Sequence, residues 1–179
     1  MSLDVRVEKK TITTERFDLR PVRLSDMGLI EHYASDKRVA CNTSSIPHPL
    51  PPGTTDAFVA RVTAPDTTED VWALDATRVG GPELMGLVSL MDMDRNQTEV
   101  GYWIAPQYWN TGFASDAVRA LVEANPFGNG TMFASVFQDN PASAKVLTNC
   151  GFEYIGDAEV FSIARNAKVP TWTYLKTLK

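Results

Sequence analysis

The sequence predicts an α/β domain with a mixed sheet. Two local patterns point to it. Period-two alternation recurs, as in Phe17–Arg23 and Thr98–Ile104. Between such stretches lie segments of helical spacing, clearest at Ala114, Ala117, Val118 and Leu121. Length adds the third observation: 179 residues, 44% of them hydrophobic, suffice for one core. One domain over residues 1–179 is expected, with residues 1–13 as a flexible N-terminal segment.

The elements follow in order. After the Phe17–Arg23 strand, Ser25 is placed to cap a helix to about Ser35, with Leu29, Ile30 and Tyr33 as its apolar side. Asn42–Gly53 contains four prolines and reads as a shaped loop. Thr54 or Thr55 then caps a helix that buries Phe58, Val59 and Val62. Val71–Ala76, Leu84–Met91 and Thr98–Ile104 read as successive strands. Gly80-Gly81-Pro82 and Asp94-Arg95-Asn96 are the turns between them. The helix around Ala114–Leu121 turns Ser115, Asp116, Arg119 and Glu123 outward and ends at Asn125-Pro126. A short strand, Met132–Phe137, leads to Asn140-Pro141, an N-cap with proline at the first helical position. That helix stops at Gly151. Strands at about Phe152–Ile163 and Thr171–Leu178 complete the chain.

Composition excludes several function classes. A net charge of −5 and a pI near 5.0 oppose general nucleic-acid binding and suit an amine-bearing substrate. No apolar run approaches the ~20 residues of a membrane span. The polar, charged start of the chain is not a signal peptide. Cys41 and Cys150 form no zinc or disulfide pattern, which suits a reducing cytoplasm.

The most informative segment is Glu99–Ala117. Its strand runs into a loop, and the loop opens a helix with the small residues Thr111, Gly112 and Ala114. Small residues admit a ligand close to backbone N–H groups. A helix N-terminus adds unpaired donors and a partial positive charge. Together they would seat a pyrophosphate; a plain strand–loop–helix connection is the other reading.

This segment resembles the coenzyme A loop of the GCN5-related N-acetyltransferase (GNAT) superfamily. That loop has Gln or Arg, two residues, Gly, one residue, then Gly or Ala. Here it falls on Gln107, Tyr108, Trp109, Asn110, Thr111 and Gly112. Gly101–Trp109 is similar to the ribosomal-protein N-terminal acetyltransferase branch. The resemblance runs from Thr14-Glu15-Arg16 to the last strand. It implies a mostly antiparallel sheet of about seven strands flanked by about four helices. Asn110 stands where the family's first glycine does; asparagine tolerates left-handed angles better than most residues.

A second stretch, Asn140 to Gly151-Phe152, resembles the superfamily's later motif, whose asparagine contacts the pantetheine arm. A cap alone is the plainer reading. Many members carry a tyrosine seven residues on, where it protonates the leaving thiolate; here that position is Leu147. The resemblance implies Ser143 as thiolate donor instead. A tyrosine at 147 would share that task only if the helix presented both positions to the sulfur.

The implied activity is transfer of acetyl from acetyl-coenzyme A to a primary amine, by direct attack in a ternary complex. A protein N-terminal α-amine is the favoured acceptor; an antibiotic or polyamine acetyltransferase and a non-catalytic acyl-coenzyme A-binding protein are the alternatives. The cofactor-side candidates are Trp103, Ile104, Trp109, Asn110, Thr111, Gly112, Ala114, Asn140 and Ser143. A backbone N–H near Trp103 or Ile104 would stabilise the oxyanion. Glu99 is the candidate base, or an ordinary strand carboxylate. Cys150, at a helix C-terminus, is disfavoured as a thiolate, which argues against a covalent enzyme. His32 reads as structural, and His48 borders the implied acceptor side. No metal, nucleic acid or membrane partner is expected. A homodimer would use the exposed-looking Trp172 and Tyr174.

Overall fold

The structure, a computed structural model, describes residues 10–179. The chain runs β1 (Ile12–Thr13), β2 (Asp18–Pro21), α1 (Met27–Ala34), α2 (Lys37–Ala40), α3 (Thr54–Thr63), β3 (Glu69–Asp75), β4 (Gly86–Met93) and β5 (Gln97–Ile104). It continues through α4 (Phe113–Ala124), β6 (Thr131–Phe137), α5 (Pro141–Asn149), β7 (Glu153–Ser162) and β8 (Ala167–Thr177). The eight strands form one sheet in the order β1-β2-β3-β4-β5-β6-β8-β7, antiparallel throughout except between β5 and β6.

Differences from the sequence reading have local causes. Ile12 and Thr13, inside the segment expected to be flexible, pair with Leu19 and Asp18; the same expectation for residues 1–9 lies outside the described residues. The four-residue α2 is too short to show a helical period; it starts where the Asp36 carboxylate accepts the Arg38 N–H at 2.9 Å. Ser25 caps nothing. Asp26 takes that place and accepts the Arg23 N–H at 3.0 Å. Gly53, at φ +82°, is the N-cap of α3 in place of Thr54 or Thr55. β8 begins at Ala167 rather than Thr171, because β7 and β8 form one long hairpin in which Ser162 faces Ala167. Trp172 is half-buried against the core and Tyr174 is buried in it, so neither offers the exposed surface expected of them.

The two sheet faces carry separate cores. On one, Phe17, Trp72, Leu90, Val100 and Met132 meet Val118 and Leu121 of α4 and Leu147 of α5. On the other, Val71, Ala73 and Leu87 meet Ile30 and Tyr33 of α1 and Val59 and Val62 of α3. Ser115 turns inward rather than outward; its carbonyl accepts the Cys150 thiol at 3.3 Å.

A buried ion cluster ties β2 to this frame. Arg20, 8% exposed, donates from Nε to Asp75 at 2.7 Å and from both Nη atoms to Asp26 at 2.8 Å. Burial raises the Asp75 carboxyl, but the Thr77 and Arg20 hydrogen bonds outweigh it and hold Asp75 below its ordinary range. That contribution is complete above the unfolded carboxylate value and is lost as pH falls through the depressed one. Arg20→Leu leaves two buried carboxylates without their cation. We expect a loss of about 3–5 kcal/mol in urea unfolding at neutral pH; a loss under 1 kcal/mol would mean that water reaches the cluster.

Candidate active site

The parallel pair β5–β6 is joined only over Gln97–Glu99 and Thr131–Phe133. Beyond that point β5 stays with β4 up to Ile104, while β6 stays with β8 up to Phe137. The sheet therefore forks. The fork opens into a cleft of about 770 Å³. Glu99–Trp103 form one wall, Ala134–Phe137 the other, and Asn140 and Ser143 at the start of α5 close one end.

Ladder parity decides which backbone groups face the gap. The Ala105 N–H donates to the Met85 carbonyl at 2.8 Å, on the β4 side. Alternate residues of an antiparallel strand turn the same way, so Trp103 and Gly101 also face β4. Val100, Tyr102 and Ile104 turn their N–H groups toward the fork. Of the two oxyanion donors left open by the sequence, the parity turns the Ile104 N–H, and not that of Trp103, away from β4; Ile104 itself is buried and lies just past the residues that line the cleft. The Trp103 indole packs on the α1 side, 6.5 Å from the Tyr33 ring.

The loop after β5 adopts the backbone its sequence suggested. Asn110 lies at φ +61° and Gly112 at φ +80°, both left-handed. Asn110 thus fills the glycine-like position without β-branched strain. No side chain caps α4, so the N–H groups of its first turn are available to a ligand. Arg16 braces the loop: it donates to the Thr111 carbonyl at 2.9 Å, pairs with Asp116 at 2.8 Å and stacks on Phe113. The Trp109 indole N–H holds the Ile104 carbonyl at 2.7 Å. Trp109 to Ala114 lie past the end of β5 and do not line the cleft. The site thus brings together Glu99, Asn140 and Ser143, with Trp109–Ala114 one step removed.

Sequence reasoning missed Tyr102. Its hydroxyl donates to the Ser143 carbonyl at 2.8 Å and accepts from the Ser143 hydroxyl at 3.0 Å. Burial raises the phenol far above its ordinary value, so it keeps its proton at neutral pH. The only sequence signal was position: Tyr102 is three residues from Glu99, so in a strand the two point to opposite faces. Leu147 is fully buried in the core and is absent from the cleft wall.

Glu99 is partly buried at the last rung before the fork. Burial, and then the nearby Glu69, raise its carboxyl above the ordinary range. Asn140 lines the cleft, and its side chain makes no cap bond. Cys150 is buried, and burial raises its thiol, which leaves a poor nucleophile. His32 lies tilted against the Tyr33 ring, with centroids 5.3 Å apart. His48 lies in the acceptor-side loop, whose Ile46, Pro47 and Leu50 line the cleft while His48 does not.

This architecture has a family. The chain belongs to the acetyltransferase (GNAT) domain family, whose model matches residues 16–153. It is an acetyl-coenzyme A-dependent N-acetyltransferase. It is similar to the uncharacterized N-acetyltransferase YoaA of Bacillus subtilis (strain 168), 33% identical over 78 residues. That match spans 41% of this chain and only 44% of YoaA. Among solved structures, the ribosomal L7/L12 alpha-N-protein acetyltransferase RimL, bound to coenzyme A, superposes with a TM-score of 0.80 at 15% identity. The superposition covers 94% of this chain and 98% of that one. The spermidine N-acetyltransferase of Vibrio cholerae, with coenzyme A and spermine, gives 0.76 at 16% identity, covering 92% and 97%. These likenesses show the fold.

The residues fit the cofactor. An uncapped helix start with two left-handed residues suits a pyrophosphate, and a fork with unladdered N–H groups suits an amide-bearing arm. Gly112→Asp places a negative charge at the helix start. We expect coenzyme A affinity to fall at least ~100-fold in calorimetry while far-UV circular dichroism is preserved. Asn110→Gly, which keeps the left-handed backbone, should bind as tightly as the parent or better. Unchanged affinity in Gly112→Asp would remove the proposed seat.

Proposed function

We propose that this enzyme acetylates a protein N-terminal α-amine by direct attack on acetyl-coenzyme A. The observation that carries the mechanism is the placement of Glu99 and Tyr102 on opposite faces of one forked strand. The thioester lies in the fork, with the acceptor on the Glu99 side and the sulfur toward α5. The neutral amine attacks the thioester carbon, and the Ile104 N–H stabilises the oxyanion that forms. Glu99 takes the amine proton, directly or through water, and its raised carboxyl makes it a better base than an exposed one.

As the intermediate collapses, the C–S bond breaks and the electron pair leaves on sulfur. Ser143 donates the proton to that thiolate. The 3.0 Å contact between the two hydroxyls runs in either direction, so Tyr102 can return a proton to Ser143. Adjacent α5 backbone N–H groups favour the developing negative charge. An α-amine, with an ordinary pKa near ~8 against ~10.4 for lysine, needs the least help from such a base. The two thiols Cys41 and Cys150 are free, in keeping with a cytoplasmic setting.

Ser143→Ala should lower kcat by roughly 10- to 1000-fold with little change in acetyl-coenzyme A affinity. Tyr102→Phe should lower it less, because Ser143 keeps its own proton. Activity should rise with pH through the raised Glu99 value, and Glu99→Gln should erase that limb. The measurement is thiol release against pH with a peptide amine. Undiminished turnover in Ser143→Ala would assign the proton to water.

A further inference from the structure

We infer that the acceptor is a monoamine: one cationic nitrogen on an otherwise uncharged body, which for a peptide means an uncharged first residue. This rests on the acetyltransferase reading above and adds a substrate class to it. The charged described residues that line the cleft are Arg61, Glu69 and Glu99. Arg61 and Glu69 neutralise one another at 2.7 Å. Glu99 has no described cation against it, so one carboxylate is left to meet an ammonium.

Register defines what surrounds that carboxylate. Glu69 pairs with Met91 and Met91 with Glu99, so the three stand abreast on one face of the sheet. A thioether therefore separates the free carboxylate from the one Arg61 holds. The remaining acceptor-side wall carries no further charge among the described residues: it mixes Ile46, Leu50, Phe58 and Leu87 with the uncharged polar stretch Asn42–Ser45. Such a wall gives methylenes apolar contacts at Ile46, Leu50, Phe58 and Leu87 and offers a second ammonium no counter-ion. Burying that second charge unpaired costs more than its chain gains. A diamine or polyamine would thus have to break the Arg61–Glu69 pair to bind. The space beside Glu99 is kept by Gly101, where a side chain would come within 3.2 Å of the Ser89 hydroxyl.

Hexylamine and 1,6-diaminohexane isolate the variable, since they share a chain and differ by one ammonium. With the full chain and saturating acetyl-coenzyme A, kcat/KM for hexylamine should exceed that for the diamine at least ~10-fold. Lengthening from butylamine to hexylamine should raise it about three- to fourfold per methylene. M91E, which sets a second carboxylate beside Glu99, should narrow or invert the ratio. A wild-type enzyme that takes the diamine equally well overturns the inference. So does a preference for hexylamine that M91E leaves unmoved. Acetyl-coenzyme A binding in calorimetry without acetylation of any amine overturns instead the catalytic reading beneath it.

Discussion

Everything functional in this protein depends on where two parallel strands stop pairing. A parallel ladder between β5 and β6 would satisfy the backbone but leave no room for a ligand. Three rungs hold the strands together, and then each follows its antiparallel neighbour. The divergence costs hydrogen bonds along Val100–Ile104. It also creates the polar edges that a thioester and its amide-bearing arm can use. A gap in the middle of a sheet is stable here because both halves are anchored elsewhere: β4 and β5 share an eight-residue register, and β6 and β8 share seven.

The fork also solves a problem of separation. Acyl transfer needs a base near the incoming nitrogen and a proton donor near the departing sulfur, and the two must not neutralise each other. Strand alternation supplies this. Glu99 faces the side with α1 and α3, and Tyr102 faces α5, so the sheet stands between them. Their surroundings push both groups the same way, toward the protonated form, but for different ends. A raised carboxyl is a stronger base once ionised, while a raised phenol keeps its proton at neutral pH.

The rest of the frame keeps this geometry fixed. The Arg20 cluster pins β2 and the start of α1 to the end of β3. Arg16 fastens the segment before β2 to the loop and first turn of α4. At the opposite end Arg165, in the turn between β7 and β8, grips the Cys41 carbonyl at 2.7 and 2.9 Å and the Asp139 carboxylate. It thereby links the acceptor-side loop to the residue just before Asn140. Arginines brace three junctions, and Arg16 and Arg165 join segments that share no ladder, which suits a side chain with five donors in a rigid fork.

The elements were largely legible in the sequence. The 3.6-residue period of α4, the Asn140-Pro141 helix start and the small residues around Gly112 are local patterns, and local patterns survive in one dimension. The left-handed backbone at Asn110 was readable for the same reason, because residue type limits φ at single positions. Capping was less legible: Ser25 and Thr54 were as suitable by type as the residues that do the work. Tyr102 was illegible, because its partner Ser143 is 41 residues away and only the packing of α5 on β5 joins them. By itself the sequence determined the α/β class and the family, and marked the segments proposed to meet the cofactor. Tertiary structure alone decided which strand face each group occupies, which backbone N–H groups the fork leaves open and which carboxylate Arg61 neutralises. Those depend on strand register and helix docking, set by contacts between residues far apart in the chain.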